Sequence, residues 1–155
     1  MFYYIQGTLA LLEAGFAVID AGGVGYKLTI SLLTSENLSS KKGDRVRLYT
    51  HLSVREDGVE LFGFGSHEEL SAFKMLITVS GVGPKAAIAI LSILSPEKLA
   101  LAICAEDAKA ISKANGVGAK TAARVILELH DKFMKETPSE ILSGKASATA
   151  PLSSV

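Results

Sequence analysis

Residues 80–87 read SGVGPKAA, and residues 115–122 read NGVGAKTA. The pattern Gly-Val-Gly-x-Lys-x-Ala occurs in both, and the second copy follows the first by 35 positions, from Gly81 to Gly116. In each copy a helix-like run ends, two glycines flank a valine, and a new apolar helical run begins. These paired turns between helices decide the fold of the region, and a function for the chain has to account for both.

Each turn has features of a site in which backbone N–H groups bind an anion. The start of a helix presents unpaired N–H groups, and its dipole favours a negative charge there. Lys85 and Lys120 stand in these first helical turns, although a cation at a helix N-terminus is unfavourable for the helix itself, so an anion is expected nearby. In the second copy Thr121 adds a hydroxyl donor, and Arg124 lies one helical turn beyond Lys120.

The glycines of both turns can adopt backbone angles closed to other residues and allow another backbone to approach closely. These glycines are Gly81, Gly83, Gly116 and Gly118. The valines between them, Val82 and Val117, are predicted to point back into the core. For one copy alone, a purely structural turn with exposed lysines is the better interpretation. The repeat favours a pair of phosphate sites, which suits the two strands of a duplex.

Two other kinds of chemistry are excluded by the pattern. NGVGAKT resembles the end of a P-loop, but that motif needs Gly immediately before the Lys, where Ala119 stands, and it needs a preceding strand. No Ser/His/Asp or Cys/His arrangement is visible, nor a carboxylate cluster with metal-ligand spacing. The sequence therefore predicts no catalytic centre, no metal site and no cofactor.

Outward from the two turns, the composition divides the chain. Residues 1–64 contain five β-branched and aromatic runs, with a loop or short turn expected in the polar stretch 34–40, and these runs predict a five-stranded OB-fold barrel. Residues 65–136 carry five helix signals, among them Ser66 with Glu69 at capping-box spacing, and predict an all-α domain with two helix-hairpin-helix motifs. Residues 137–155 are interpreted as a flexible linker or tail. The expected fold class is β + α multidomain.

The bulk composition limits the class of protein. Hydrophobic residues make up 48% of the 155, and 16 basic side chains balance 16 acidic ones, so any polyanion site has to be local. The single cysteine, Cys104, excludes a disulfide within the chain and is predicted to be a small buried hydrophobe. No signal peptide and no apolar run of membrane-spanning length is visible. These features predict a cytoplasmic protein with no membrane partner.

VREDGVELFGF at 54–64 is the second informative stretch. Asp57-Gly58 between two strand-like runs is a strong hairpin signal, so Glu56 and Asp57 are expected at an exposed tip with Arg55 beside them. A polar turn is the simpler interpretation. The functional alternative is a pair of carboxylates that repels phosphates and thereby selects among DNA geometries.

Together, THLSVREDGVELFGF, FKMLITVSGVGPKAAIAILS and ISKANGVGAKTAARVILELHDKF closely resemble the RuvA family, bacterial proteins that bind Holliday junctions and drive branch migration with the RuvB ATPase. The likeness covers residues 1 to about 135. It implies a non-enzymatic homotetramer, joined through its OB-fold barrels, that holds a four-way junction open during recombination, DNA repair and the SOS response. The resemblance implies RuvB and the resolvase RuvC as protein partners of the full-length family member.

The resemblance also implies roles for individual residues. The turns at 81–85 and 116–120 would bind the minor-groove backbone through main-chain amides, and Lys85, Lys120 and Arg124 would contact phosphates. Glu56 and Asp57 would match the family's acidic pin at the junction centre.

Three features depart from the family pattern. Ala119 stands where a basic residue is frequent, and Gln6 stands where a Lys or Arg is common. The family also continues into a third helical domain that docks on RuvB. This chain ends within what resembles the linker to it, so we expect either a truncated form or a protein without that domain, and no direct RuvB binding.

Two other functions remain open. One is a generic duplex-binding helix-hairpin-helix module of a DNA repair complex. The other is a protein-interaction adaptor in which both turns are purely structural.

Overall fold

The computed structural model describes residues 1–135, so the predicted tail at 137–155 lies outside the described residues. The strands are β1 (Tyr4–Leu12), β2 (Phe16–Ala21), β3 (Val24–Thr29), β4 (Arg45–Arg55) and β5 (Gly58–Phe64). They close into a barrel in the order β1-β2-β3-β5-β4, with β4 returning to β1. The pairs are antiparallel apart from a short parallel contact between β3 and β5. The predicted five-stranded barrel is confirmed.

The helices of the described residues are α1 (Leu32–Leu38), α2 (His67–Thr78), α3 (Pro84–Ile93), α4 (Pro96–Cys104), α5 (Ala108–Ser112) and α6 (Ala119–Lys135). The five helices predicted after residue 65 are confirmed, with prolines in the first turns of α3 and α4. The sequence predicts the fourth of these helices in the run AEDAKAISKAN at 105–115, and helix α5 covers only part of it. Glu106 adopts a left-handed φ of 54°, and the Asp107 carboxylate then caps the new helix by accepting from the Ala110 N–H.

Within residues 1–135, no single helix is long and apolar enough to cross a bilayer. Helices α3 and α4 reach that length and composition only as a pair, across a bend of 96°.

The stretch 34–40 was expected to be a loop or short turn, and that expectation is wrong for its first five residues, which belong to α1. The Ser31 hydroxyl caps this helix by accepting from the Thr34 N–H at 3.1 Å. Thr34 and Leu38 are the buried positions of the helix. A helix this short buries too few apolar residues to show a helical period in the sequence.

Helix α2 begins as predicted, since the Ser66 hydroxyl accepts from the Glu69 N–H at 3.2 Å. The Glu69 carboxylate, however, does not complete the expected capping box. It turns into the core and accepts from the hydroxyls of Ser31 at 3.0 Å and Thr34 at 2.7 Å. Glu69 is 8% exposed, and this burial raises its pKa, although hydrogen bonds from Thr34, Ser31 and the backbone of Gly65 act in the opposite direction.

Two clusters of buried side chains form the core. One fills the barrel, and the other fills the helical half but also includes Phe62 and Phe64 of β5. The ring centroids of Phe62 and Phe64 lie 5.3 and 4.8 Å from that of Phe73 on α2. The barrel and the helices therefore share a core along β5.

Cys104 is exposed, so the prediction of a buried cysteine is wrong. It is the last residue of α4, directly after the buried pair Ala102 and Ile103. Its apolar sequence context comes from neighbours that face the core while Cys104 does not.

Candidate nucleic-acid interface

The two glycine turns share one set of backbone hydrogen bonds. Each turn has three bonds with a counterpart 35 positions away, at N···O distances of 3.0 to 3.1 Å. The N–H to carbonyl pairs are Val79 to Leu76, Val82 to Val79 and Ala87 to Gly83 in the first turn, and Ala114 to Ile111, Val117 to Ala114 and Ala122 to Gly118 in the second. Val82 and Val117 are each 5% exposed, which confirms that both valines anchor their turns. The sequence repeat is thus a repeat of structure.

The two glycines of each turn have different roles. Gly81 and Gly116 adopt left-handed φ values of 86° and 77°. Within the described residues the second glycines do not use that region, and Gly83 has a φ of −88°. Of the four glycines, Gly81 and Gly116 therefore use the backbone freedom noted in the sequence, and Gly83 and Gly118 do not. At those two positions the lack of a side chain leaves the helix start open to an approaching group.

Glycines border the starts of helices α3 and α6. A Cβ placed on Gly118 would meet nothing within 4 Å, and one placed on Gly83 would meet only Arg55 Nη2, at 3.7 Å. Gly83 is the N-cap of α3 and has no side chain with which to cap it. Neither helix carries an acidic residue in its first turn, and Lys85 and Lys120 are both exposed there. Ala119, the first residue of α6, is exposed and offers no charge, while Thr121 is half-buried. The first turns thus present backbone N–H groups and one lysine each, an arrangement suited to an anion.

Arg124 is already paired. Its Nε donates to Oε1 of Glu128 at 3.2 Å, one turn along α6. The other carboxylate oxygen, Oε2, accepts from the backbone N–H of Ser80 at 3.2 Å, directly before the first glycine turn. Glu128 thus touches the surroundings of both turns. Its spacing from Arg124 is visible in the sequence, but its contact with Ser80 is not.

The acidic tip has the predicted geometry. Arg55, the last residue of β4, pairs with Gly58, the first residue of β5, and Glu56 and Asp57 form the turn between them. All four residues are exposed. Two carboxylates therefore project from the end of a two-stranded ribbon.

The structure brings this tip close to the first glycine turn. Arg55, Asp57 and Lys85 line one open cleft of about 310 Å³, together with Ser53, Gly58, Val59 and Glu60. Nη2 of Arg55 lies 3.7 Å from the point where a Cβ on Gly83 would stand. Arg55 was not among the predicted site residues, and its position beside Gly83 could not be read from the sequence. Lys120, Thr121 and Arg124 do not line this cleft.

Gln6, noted above as a departure, has a cationic neighbour across the sheet. Gln6 and Arg47 are directly paired between β1 and β4. Arg47 Nε donates to Gln6 Oε1 at 2.7 Å, and its guanidinium lies 4.1 Å from the ring centroid of Tyr4. The surface around Gln6 therefore carries a positive charge, supplied from the neighbouring strand.

Among residues 1–135, no group of three or more His, Cys, Asp or Glu side chains is placed to hold a metal ion.

Comparison with known protein families divides the chain into the same two parts, the barrel and the helical half. Residues 1–63 match the family model described as RuvA N terminal domain, and residues 73–131 match the one described as SAM-like helix-hairpin-helix tandem.

Three relatives illustrate the extent of the similarity, and each is named Holliday junction branch migration complex subunit RuvA. The protein of Ruminiclostridium cellulolyticum is 48% identical over 88% of this chain and 68% of its own length. That of Acetivibrio thermocellus is 46% identical over 90% and 69%. That of Chlorobaculum tepidum is 46% identical over 97% and 73%. With this identity over more than two thirds of those relatives, the chain belongs to the RuvA family.

Proposed function

We propose that this chain binds four-way (Holliday) junction DNA as a non-catalytic, homotetrameric scaffold for RuvB-driven branch migration in the cytoplasm. The observation that carries the proposal is the structural repeat of the two glycine turns. Each turn places open backbone N–H groups and a lysine at a helix start, so two phosphate backbones can be held by one chain. The relatives named as branch migration complex subunits support the same conclusion.

Phosphate sites of this kind predict binding without sequence preference, because main-chain N–H groups and lysines contact the DNA backbone and not the bases. We assign the contacts to Gly81, Gly83, Lys85, Gly116, Gly118, Lys120, Thr121 and Arg124. Arg55 of β4 lines the same cleft as Lys85 and lies near Gly83, so it adds a second cation at the first glycine turn. We therefore include Arg55 in the site.

Glu56 and Asp57 are proposed as the pin that makes the binding selective for junctions. Both carboxylates are exposed, and Asp57 lines the same cleft as Lys85 and Arg55. A phosphate in this cleft would be attracted by the two cations and repelled by the carboxylates of the tip. A continuous duplex would bring phosphates against the tip, whereas an open junction leaves space at its centre. The tip therefore lowers the affinity for duplex more than that for junction.

The proposed domain division is a barrel of residues 1–64 that forms the tetramer contacts and a DNA-binding domain of residues 65–136. Cooperation with RuvC and a role in the SOS response also remain proposals.

The first test is a competitive gel shift at near-physiological salt, with a four-way junction against a linear duplex of the same arm sequences. We expect a large preference for the junction. Equal affinity would favour a generic duplex-binding module of a repair complex. No salt-dependent binding at all would favour a protein-interaction adaptor.

The second test is charge reversal in both turns. The double variant Lys85→Glu/Lys120→Glu should lose at least tenfold in affinity for every DNA, with a shallower salt dependence, since each neutralised phosphate contributes about −0.9 to the log–log slope. Lys98→Glu/Lys132→Glu is the matched control, because both lysines are exposed and lie outside the turns. Unchanged affinity in the first variant would remove the turns from the interface.

The third test is neutralisation of the tip. Glu56→Gln/Asp57→Asn should raise the affinity for duplex and narrow the preference for the junction. Glu36→Gln/Asp44→Asn removes two exposed acids elsewhere on the chain and controls for net charge. If this control reduces the preference for junction over duplex DNA by the same amount, the tip acts only through the net charge of the protein.

A further inference from the structure

Glu128 uses both of its carboxylate oxygens. One accepts from Arg124 Nε and the other from the Ser80 N–H, each at 3.2 Å. The bond to Ser80 joins residues 48 positions apart, so it connects α6 with the chain that leads into the first glycine turn. Because α6 itself starts at the second turn, one side chain links the two turns.

The helix beneath this link is firmly placed. Val125 and Leu129, which flank Glu128 on α6, are 0% and 1% exposed. The Glu128 side chain keeps 33% of its surface accessible and that of Arg124 keeps 55%. The ion pair therefore stands on a fixed backbone but is open to an approaching anion.

The first copy of the repeat lacks this arrangement. The residues 35 positions before Arg124 and Glu128 are Ala89 and Ile93, which carry no charge. The pair is thus a feature of the second copy that the repeat does not explain. Of the two helices that follow the glycine turns, α3 and α6, only α6 has both the cation and the acid that reaches across to the other turn.

We propose that Glu128 is a positioning residue of the DNA interface, one that fixes the spacing of the two turns through Ser80 and holds Arg124 until a phosphate replaces the carboxylate. This inference rests on the proposed function. Arg124 has five N–H donors, and its bond to Glu128 uses the one on Nε, which leaves the four on the terminal nitrogens to meet a phosphate. Binding at this position then exchanges one anionic partner for another, and Arg124 adds less affinity than an unpaired arginine would.

The variant Glu128→Gln separates the two roles. Its single amide oxygen can still accept from the Ser80 N–H, but it has no charge to hold Arg124. We expect the affinity for junction DNA to rise about two- to fivefold and the log–log salt slope to steepen by up to about 0.9, because one more cation is free to neutralise a phosphate. Glu128→Ala loses both bonds and should bind more weakly than Glu128→Gln.

The design includes a double-mutant cycle and a charge control. In the Arg124→Ala background, Glu128→Gln should give no gain, whereas a gain there would overturn the role of Arg124. Glu36→Gln, which removes one exposed acid on α1, should leave affinity and slope unchanged. Far-UV circular dichroism and thermal unfolding of each variant establish that it is folded.

The outcomes distinguish this inference from the proposed function. If Glu128→Gln has the affinity and salt slope of wild type, Glu128 does not restrain Arg124. If Glu128→Gln and Glu128→Ala bind DNA with equal affinity, the hydrogen bond to Ser80 does not contribute to binding. Either result leaves the proposed function intact if Lys85→Glu/Lys120→Glu still loses binding. An absence of salt-dependent DNA binding by the wild type would overturn both.

Discussion

At the scale of single residues, the first glycine of each turn is required by backbone conformation. Gly81 and Gly116 have left-handed φ values, yet a Cβ at either position would meet nothing within 4 Å. Space is therefore available for a side chain, and only the backbone angle opposes it. The sequence predicted glycine turns at the right positions, but it could not divide the two glycines of each turn into one needed for conformation and one that leaves a helix start open.

We expect Gly116→Ala to lower the free energy of unfolding by about 1–2 kcal/mol, the cost of a left-handed L-residue. Gly15→Ala is the matched control, since Gly15 also has open space around it but its φ is outside the left-handed region. Urea denaturation of both variants checks this expectation. Equal stability of the two variants would show that the turn relaxes to another conformation.

At the scale of elements, the buried contact of Glu69 joins α2 to α1. The carboxylate accepts from two hydroxyls that are themselves 0% and 1% exposed, those of Ser31 and Thr34. The sequence predicted the cap of α2 from local spacing but not this contact, because its partners lie 38 and 35 positions away. Local patterns carry no signal for a side chain that turns toward a distant element. Helix α1 was not predicted for a similar reason: it is stabilised by contacts of its buried residues with distant parts of the chain, such as that of Thr34 with Glu69.

The raised pKa of Glu69 predicts a pH dependence. The folded chain binds this proton more tightly than the unfolded chain, so the stabilising contribution is greatest below the unfolded pKa near 4.5 and falls as pH rises through the higher folded pKa. In Glu69→Gln this contribution is absent, so the variant should gain stability relative to wild type as the pH rises from the unfolded pKa near 4.5 through the higher folded pKa. Urea denaturation across this range measures the difference, with Glu68→Gln as control. A constant difference between Glu69→Gln and wild type would contradict the prediction.

At the scale of the whole molecule, β5 belongs to two structures. It closes the barrel with β4, and its Phe62 and Phe64 pack on Phe73 in the core of the helical half. The composition change near residue 65 predicted the barrel and the helices correctly. This composition change could not show that the barrel and the helices share a core. The phenylalanines of LFGF would look the same in the sequence whether they packed inside the barrel or against the helices.

A shared core predicts one cooperative unfolding transition. All four tyrosines lie within residues 1–64 and the chain has no tryptophan, so tyrosine fluorescence reports on the barrel, while circular dichroism at 222 nm reports mainly on the helices. The two urea transitions should coincide. Phe73→Ala should shift both together and lower stability by about 3–5 kcal/mol. A helix signal lost before the tyrosine signal would show that the halves unfold separately.

The pairing of Gln6 with Arg47 has a consequence for how relatives of this chain are compared. Cross-strand neighbours point to the same face of a sheet, so a charge can move from one strand to the next and remain at nearly the same place in space. Against relatives that carry the Lys or Arg expected at position 6, a column-by-column alignment would record a lost cation there and an unrelated arginine at position 47. We expect these two columns to vary together among related chains, so that the property under selection is the electrostatic potential of a patch and not the identity of either residue.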